Sequence, residues 1–194
     1  MIEVSSKVEL PSKFLFMKVG DHAAEPWEQI LQRKRRELDE TGRIFWGYGG
    51  NACHPINQVQ PFAKLVLKEM DEVVLVMEYI HSNADPDIVP ATEYSTDGVI
   101  WEPIPKGIKV TGSRYALVLD EIQPGDLEVN LNRYEVAVGP SAGRPAEAYL
   151  QGRTDKACFV ESREQRIIDA PSQNHTRKAN FFAKLKDPYA VVLR

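Results

Sequence analysis

Arg43-Ile-Phe-Trp-Gly-Tyr-Gly-Gly-Asn-Ala-Cys-His-Pro55 is the stretch from which the rest of the chain is best read. Three aromatics (Phe45, Trp46, Tyr48) alternate with three glycines (Gly47, Gly49, Gly50), and Asn51, Cys53 and His54 follow. Residues 43–48 read as a short strand running into a glycine turn. Strand alternation puts Trp46 and Tyr48 on one face and Phe45 on the other. Glycine lets a backbone approach a ligand closely, and Trp and Tyr give flat apolar walls with a polar edge. The pattern therefore suggests a pocket for a planar group, with Trp46 and Tyr48 stacking and Gly49, Gly50 and Asn51 bonding its edge. Its structural alternative is that Phe45 and Trp46 are core and Gly49-Gly50 is only a turn.

Upstream, residues 13–19 read as a buried first strand. Pro26 suits the first turn of a helix, Trp27, Ile30, Leu31 and Leu38 recur at helical spacing, and Gly42 is a natural stop. Arg33, Lys34, Arg35 and Arg36 are expected on the exposed side of this helix, where they would meet a nucleic acid if the ligand were a polymer. Downstream, Pro61 opens a second helix to Met70, with Phe62, Leu65, Val66 and Met70 on one face. Residues 73–80 form the strongest strand pattern, β-branched and nearly all apolar. A loop is expected over 83–90.

The rhythm then changes to short strands over 99–102, 108–111, 114–122, 128–130 and 134–138, joined by turns such as Gln123-Pro-Gly-Asp126. Gly139-Pro-Ser-Ala-Gly-Arg144 is a loop before a short helix, 145–150, and residues 157–160 give another strand. Residues 162–178 are expected to be a mobile connection, 180–186 a helical turn and 189–193 a closing strand. The expected architecture is one α+β domain over 1–194. Its core, 13–161, is a small, mostly antiparallel β-barrel flanked by two N-terminal helices and a short C-terminal helix, and 179–194 is a closing helix-strand unit.

The order of elements resembles PUA-like domains of the EVE and ASCH type. The resemblance covers roughly 13–122 and rests on Trp46-Gly47, the helix 61–70 and Asp71-Glu72-Val73-Val74. The chain lacks those families' usual Arg-Asn after the Trp-Gly step, and Met70 stands where their glycine would be. The resemblance implies a barrel with helices beside an aromatic-lined pocket.

Composition sets outer bounds. In 194 residues, 43% are hydrophobic and 27% charged, which suits a folded chain of ordinary core size. Net charge is −4, so no global field favours a polyanion. No apolar run reaches the ~18–20 residues of a membrane span, and residues 1–7 lack a secretion leader, so a cytoplasmic location is expected. Cys53 and Cys158 are the only cysteines and are expected as free thiols.

Chemistry is harder to find. Cys53 and His54 point to opposite faces of an extended segment and cannot bond one another. His22, His54, His81 and His175 have no zinc spacing, and Asp85, Asp87, Asp97, Asp120 and Glu121 have no calcium-loop spacing. Glu102 and Asp120 would pair only on neighbouring strands. Ser141 and Arg144 suggest an anion nest at a helix start, to which Arg153, Asp155 and Lys156 would add charge; the loop lacks the Lys-Ser/Thr ending of a phosphate-binding loop. No metal, cofactor or acid–base couple is assigned. The leading expectation is a non-catalytic domain binding a nucleobase or nucleotide, either a free signal or a modified base, with Arg114 or Arg144 meeting phosphate. The alternatives are a nucleotide-directed hydrolase or transferase with a nonlocal site near Cys53 and His54, and a protein-interaction module.

Overall fold

Strand β1 (Lys13–Val19) leads to α1 (Trp27–Thr41), β2 (Ile44–Tyr48), α2 (Gln60–Val66) and β3 (Val73–Tyr79). Then come β4 (Glu93–Ser95), β5 (Glu102–Pro103), the long β6 (Tyr115–Asn130), β7 (Tyr134–Val136), α3 (Ala146–Tyr149), β8 (Lys156–Glu161) and the long β9 (Thr176–Leu193). The computed structural model describes residues 10–22, 25–81, 89–151, 155–163 and 176–194. The loop expected over 83–90 falls mostly outside the described residues, as does most of the connection 162–178. Asp85, Asp87, Arg153 and His175 lie outside them too.

The fold is α+β, with a mostly antiparallel sheet of nine strands in the order β2-β6-β9-β3-β1-β8-β7, β4 and β5 branching from β9. Among the described strands, only β1 and β3 pair in parallel. The sheet does not close into the expected barrel: β2 and β7 end the path. Past β2 the chain supplies other cover. Lys34 of α1 donates to the Phe45 carbonyl, and residues 110–113 pack against Gly47.

Along β1 and β2 both faces of the sheet are buried. Along β1, Leu15, Met17 and Val19 enter one core with Trp27, Ile30, Phe62 and Leu75. Phe14 and Phe16 enter a second with Tyr134, Leu150 and Phe159. On β2, Ile44, Trp46 and Tyr48 face the first core, while Phe45 faces a third with Tyr94, Val118 and Leu193. The period-2 alternation thus feeds a core on each side.

Three expectations need correction. First, the two strands expected over 114–122 and 128–130 are one, Tyr115–Asn130, because Gln123-Pro-Gly-Asp126 is a bulge in the pairing of β6 with β9 and not a turn. Gly125 permits it: a Cβ there would lie 2.2 Å from the Phe182 ring. Second, residues 180–186 are strand, not a helical turn, so 179–194 contains no helix. This segment is central, pairing with β3 on one side and β6 on the other. Phe181 turns to Trp27 and Phe182 to the second core. Third, 99–102 and 108–111 contribute only β5 and the isolated bridge at Thr111. Residues 95–100 form a turn in which Ser95 Oγ and Asp97 Oδ1 accept the amides of Gly98, Val99 and Ile100. The second helix also stops at Val66, short of Met70, and is preceded by a π-helical turn over Pro55–Val59.

Candidate functional site

Where β2 leaves the sheet, its last residues face the end of β1, the start of β8 and the segment 109–113, and together with α1 they enclose a pocket of about 240 Å³. Gly47 shapes this wall from within. A Cβ at that position would sit 2.4 Å from Ser113 Oγ and 2.7 Å from Val110 Cγ1, so glycine is what lets 110–113 lie against the strand.

Trp46 and Tyr48 both line the pocket, on the same face, and both are only 6% exposed. They are walls rather than open platforms. The Trp46 ring meets Trp27 edge-on at 5.7 Å, and Trp27 is held in turn by Tyr79 and Phe181. The Tyr48 hydroxyl donates to the Cys53 carbonyl at 2.7 Å, and burial pushes its pKa well up, keeping it neutral. The Lys156 ammonium lies 5.6 Å from the Tyr48 ring centroid, within cation–π range.

Much of the remaining lining is charged. Arg33 forks onto Glu25 at 2.6 and 2.9 Å, reaches Glu37 at 3.1 Å and donates to the Lys109 carbonyl. The Arg33 hydrogen bond holds the Glu25 carboxyl below its usual range. Burial acts to lower the Arg33 pKa, but Glu25 and Glu37 outweigh it and the net shift is upward. Lys34 is 4% exposed, and its ammonium donates to Glu37 and to the Phe45 and Lys109 carbonyls. Burial lowers its pKa to about 8 against the pull of Glu37. Lys18 donates to the Leu150 carbonyl; burial and then Arg177 lower its pKa, opposed by Glu78 and Asp155. Five cationic residues (Lys18, Arg33, Lys34, Lys109, Lys156) line the site with three carboxylates (Asp21, Glu25, Asp155), and Glu37 stands behind Arg33 and Lys34 as a fourth.

The basic run on α1 is thus not the solvated face expected of it. Lys34 lies on the buried stripe with Trp27, Ile30 and Leu31, and Arg33 is spent on internal ion pairs, leaving Arg35 and Arg36 exposed. Of the other expected site residues, Gly49 lines the pocket, and a Cβ on Gly50 would lie 3.8 Å from Lys156 Nζ. Asn51 and Arg114 are exposed and outside the lining, although the Arg114 amide bonds the Tyr48 carbonyl. Ser141 and Arg144 are outside it as well. In their turn the amides of Ala142, Gly143 and Arg144 already bond the carbonyls of Gly139, Val136 and Ser141, and Arg144 reaches Ala148 and the Tyr149 ring.

Lys18, Asp21, Lys109, Ser113, Asp155 and Lys156 enter the site without a sequence motif to announce them. Lys34 did have a signal, the i, i+3, i+4 spacing from Ile30 and Leu31. The remaining candidates disperse. His54 packs edge-on against Tyr115, His81 against Tyr79, and Glu102 bonds the Tyr94 hydroxyl. Among the described residues, no group of three or more His, Cys, Asp and Glu is arranged to hold a metal ion, and no helix is long and apolar enough to cross a membrane. Comparison with family models, curated proteins and solved structures finds no match to this chain.

Proposed function

We propose that the protein is a binding domain for a small anionic ligand carrying a flat ring, a nucleobase with its phosphate being the class that fits best. One observation carries this reading. Arg33 and Lys34 are matched by Glu25 and Glu37, and Lys18, Lys109 and Lys156 face Asp21 and Asp155 beside an aromatic wall, so five cations meet four carboxylates at the pocket of a chain whose net charge is −4. A phosphate is drawn to such a field, while Trp46 and Tyr48 give a base an apolar surface. A pocket of about 240 Å³ is smaller than the ~300–1,000 Å³ of drug-sized sites, which suits one mononucleotide better than a dinucleotide.

Free nucleotide is preferred to polymer because Arg33 and Lys34 are occupied inside the protein, which leaves the exposed helix face with two of its four basic residues. The likeness to PUA-like domains belongs to the same proposal: a strand ending in Trp-Gly beside a pocket, with helices near it. No nucleophile–base pair is formed by Cys53 and His54, so binding without chemistry is the simpler reading.

Calorimetric titration with nucleoside monophosphates, the matching nucleosides and inorganic phosphate tests it. Binding of a monophosphate, with weaker binding of its nucleoside and of phosphate alone, is expected. A nucleoside that binds as well as its monophosphate would remove the role given to the cations.

A further inference from the structure

Among the described residues, Lys156 is the pocket cation that is both deeply buried and left with donors to spare. It is 5% exposed. An ammonium carries three N–H groups. One of them meets Asp155 Oδ1 at 2.5 Å, and among the described residues the others find no acceptor. The other pocket cations differ. Lys34 places its donors on Glu37 and on the carbonyls of Phe45 and Lys109. Arg33 forks onto Glu25 and reaches Glu37 and the Lys109 carbonyl. Lys18 is half-buried on the Leu150 carbonyl, and Lys109 is exposed. Burying an ammonium is costly unless its donors are accepted.

The glycine turn after β2 lies beside this ammonium. A Cβ on Gly50 would stand 3.8 Å from Lys156 Nζ. Gly50 holds φ = 77°. The amides of Gly49, Gly50, Asn51 and Ala52 bond no carbonyl or side chain among the described residues. Successive free amides in a turn of this kind make a concavity for an anion. The turn is held in shape from its far end. Cys53, at φ = 55°, adopts a conformation that costs free energy for a residue with a Cβ. Its carbonyl accepts from the Tyr48 hydroxyl at 2.7 Å, and its amide donates to Gln58 Oε1 at 3.0 Å. A cradle already shaped for its ligand loses less ordering entropy on binding.

We propose that Lys156 and the amides of residues 49–52 form a subsite for a terminal phosphate group. The assignment rests on the nucleotide reading of the pocket and orients the ligand within it. Gly50 and Asn51 are exposed while Trp46 and Tyr48 are buried, so the phosphate sits at the rim and the ring lies inward. A terminal phosphate offers three acceptor oxygens to the ammonium and the amides. A diester offers fewer, so the subsite favours a free mononucleotide over the linked phosphates of a polymer.

Amide NMR of the isotope-labelled whole protein tests this. The titrants are inorganic phosphate, the ribonucleoside monophosphates and their nucleosides, and a cyclic mononucleotide as diester. Phosphate and the monophosphates should move the resonances of Gly49, Gly50 and Asn51, and the nucleosides should not. The diester should move them only at higher concentration. Lys156→Gln should weaken phosphate binding by about tenfold or more, and the wild-type shift map decides the case even if that variant does not fold. A monophosphate that binds with the turn amides unmoved would overturn the subsite and leave the pocket reading standing. Inorganic phosphate that moves them while no monophosphate binds better would uphold the subsite and contradict the nucleobase reading alone. No shift at the turn with any titrant, or a diester as effective as the monophosphates, would overturn the proposal.

Discussion

The Lys34 ammonium lies 2.6 Å from the Phe45 carbonyl oxygen, joining helix α1 to the strand at the end of the sheet. The same nitrogen bonds Glu37 and the Lys109 carbonyl, so one buried cation gathers the helix, the strand and the segment that roofs the pocket. Its pKa makes this junction sensitive to pH. The folded protein releases the Lys34 proton near pH 8, while the unfolded chain holds it to about 10.5. Between these values the unfolded state binds more protons, so the contribution of this group to stability rises with pH. Below pH 8 the burial cost of the ammonium is fully present. Urea unfolding of wild type and Lys34→Met should therefore show a stability difference that moves in favour of wild type by ~2 kcal/mol between pH 7 and 9.5. A flat or falling difference would contradict the shift.

Arg33 and its neighbours should separate cleanly. Arg33→Gln removes the fork onto Glu25 and the bond to Glu37, and should cost about 1–3 kcal/mol. Arg35→Gln and Arg36→Gln touch exposed side chains and should stay within about 0.5 kcal/mol of wild type. Denaturant melts of the three variants check this. Equal effects at all three positions would return the run to the surface.

Gly47 and Gly49 are two residues apart and should behave oppositely. Ala at 47 brings a Cβ to within 3 Å of Ser113 and Val110, and should cost about 1–3 kcal/mol. Ala at 49 meets nothing within 4 Å and should be nearly neutral to stability. Thermal melting of the pair reads the difference.

Gly125 and Phe182 should be coupled. Gly125→Ala pushes a methyl into the Phe182 ring and should cost about 1–3 kcal/mol, while in a Phe182→Leu background the same change should cost less. A double-mutant cycle by urea unfolding measures this, and simple additivity would mean that the bulge rather than the ring sets the need for glycine.

What the sequence disclosed follows from range. The first strand, the helix from Trp27 to its stop at Gly42, and β3 are written in local periodicity and capping, and they match the structure closely. The opposite faces of Trp46 and Phe45 are equally local. The errors lie where distant chain decides. Gln123-Pro-Gly-Asp126 has turn composition, yet Phe182 and β9 draw it into a continuous strand. Asn180 to Lys186 breaks strict alternation at Phe182, which packs on the second core while Lys184 and Lys186 of the same face reach solvent. Trp46, Tyr48 and Gly49 gave the location of the pocket wall, whereas Lys18, Lys109 and Lys156 arrive from three other segments through pairing no motif encodes.

Under the proposed function, cations beside the aromatic wall bind a nucleobase phosphate, and Lys156, close to both the Tyr48 ring and the glycine turn, is the residue to change. The most direct measurement is the affinity of Lys156→Gln and wild type for the tightest monophosphate, beside their melting temperatures. Wild type should bind at micromolar concentration, about −8 kcal/mol, and the variant at least about tenfold more weakly, the loss of ~1.4 kcal/mol expected of one charge-assisted contact; because Lys156 is buried and paired with Asp155 at 2.5 Å, affinity is compared at a temperature well below the melting points of both proteins. Equal affinity of the two proteins, or no nucleotide binding by wild type, would contradict the account.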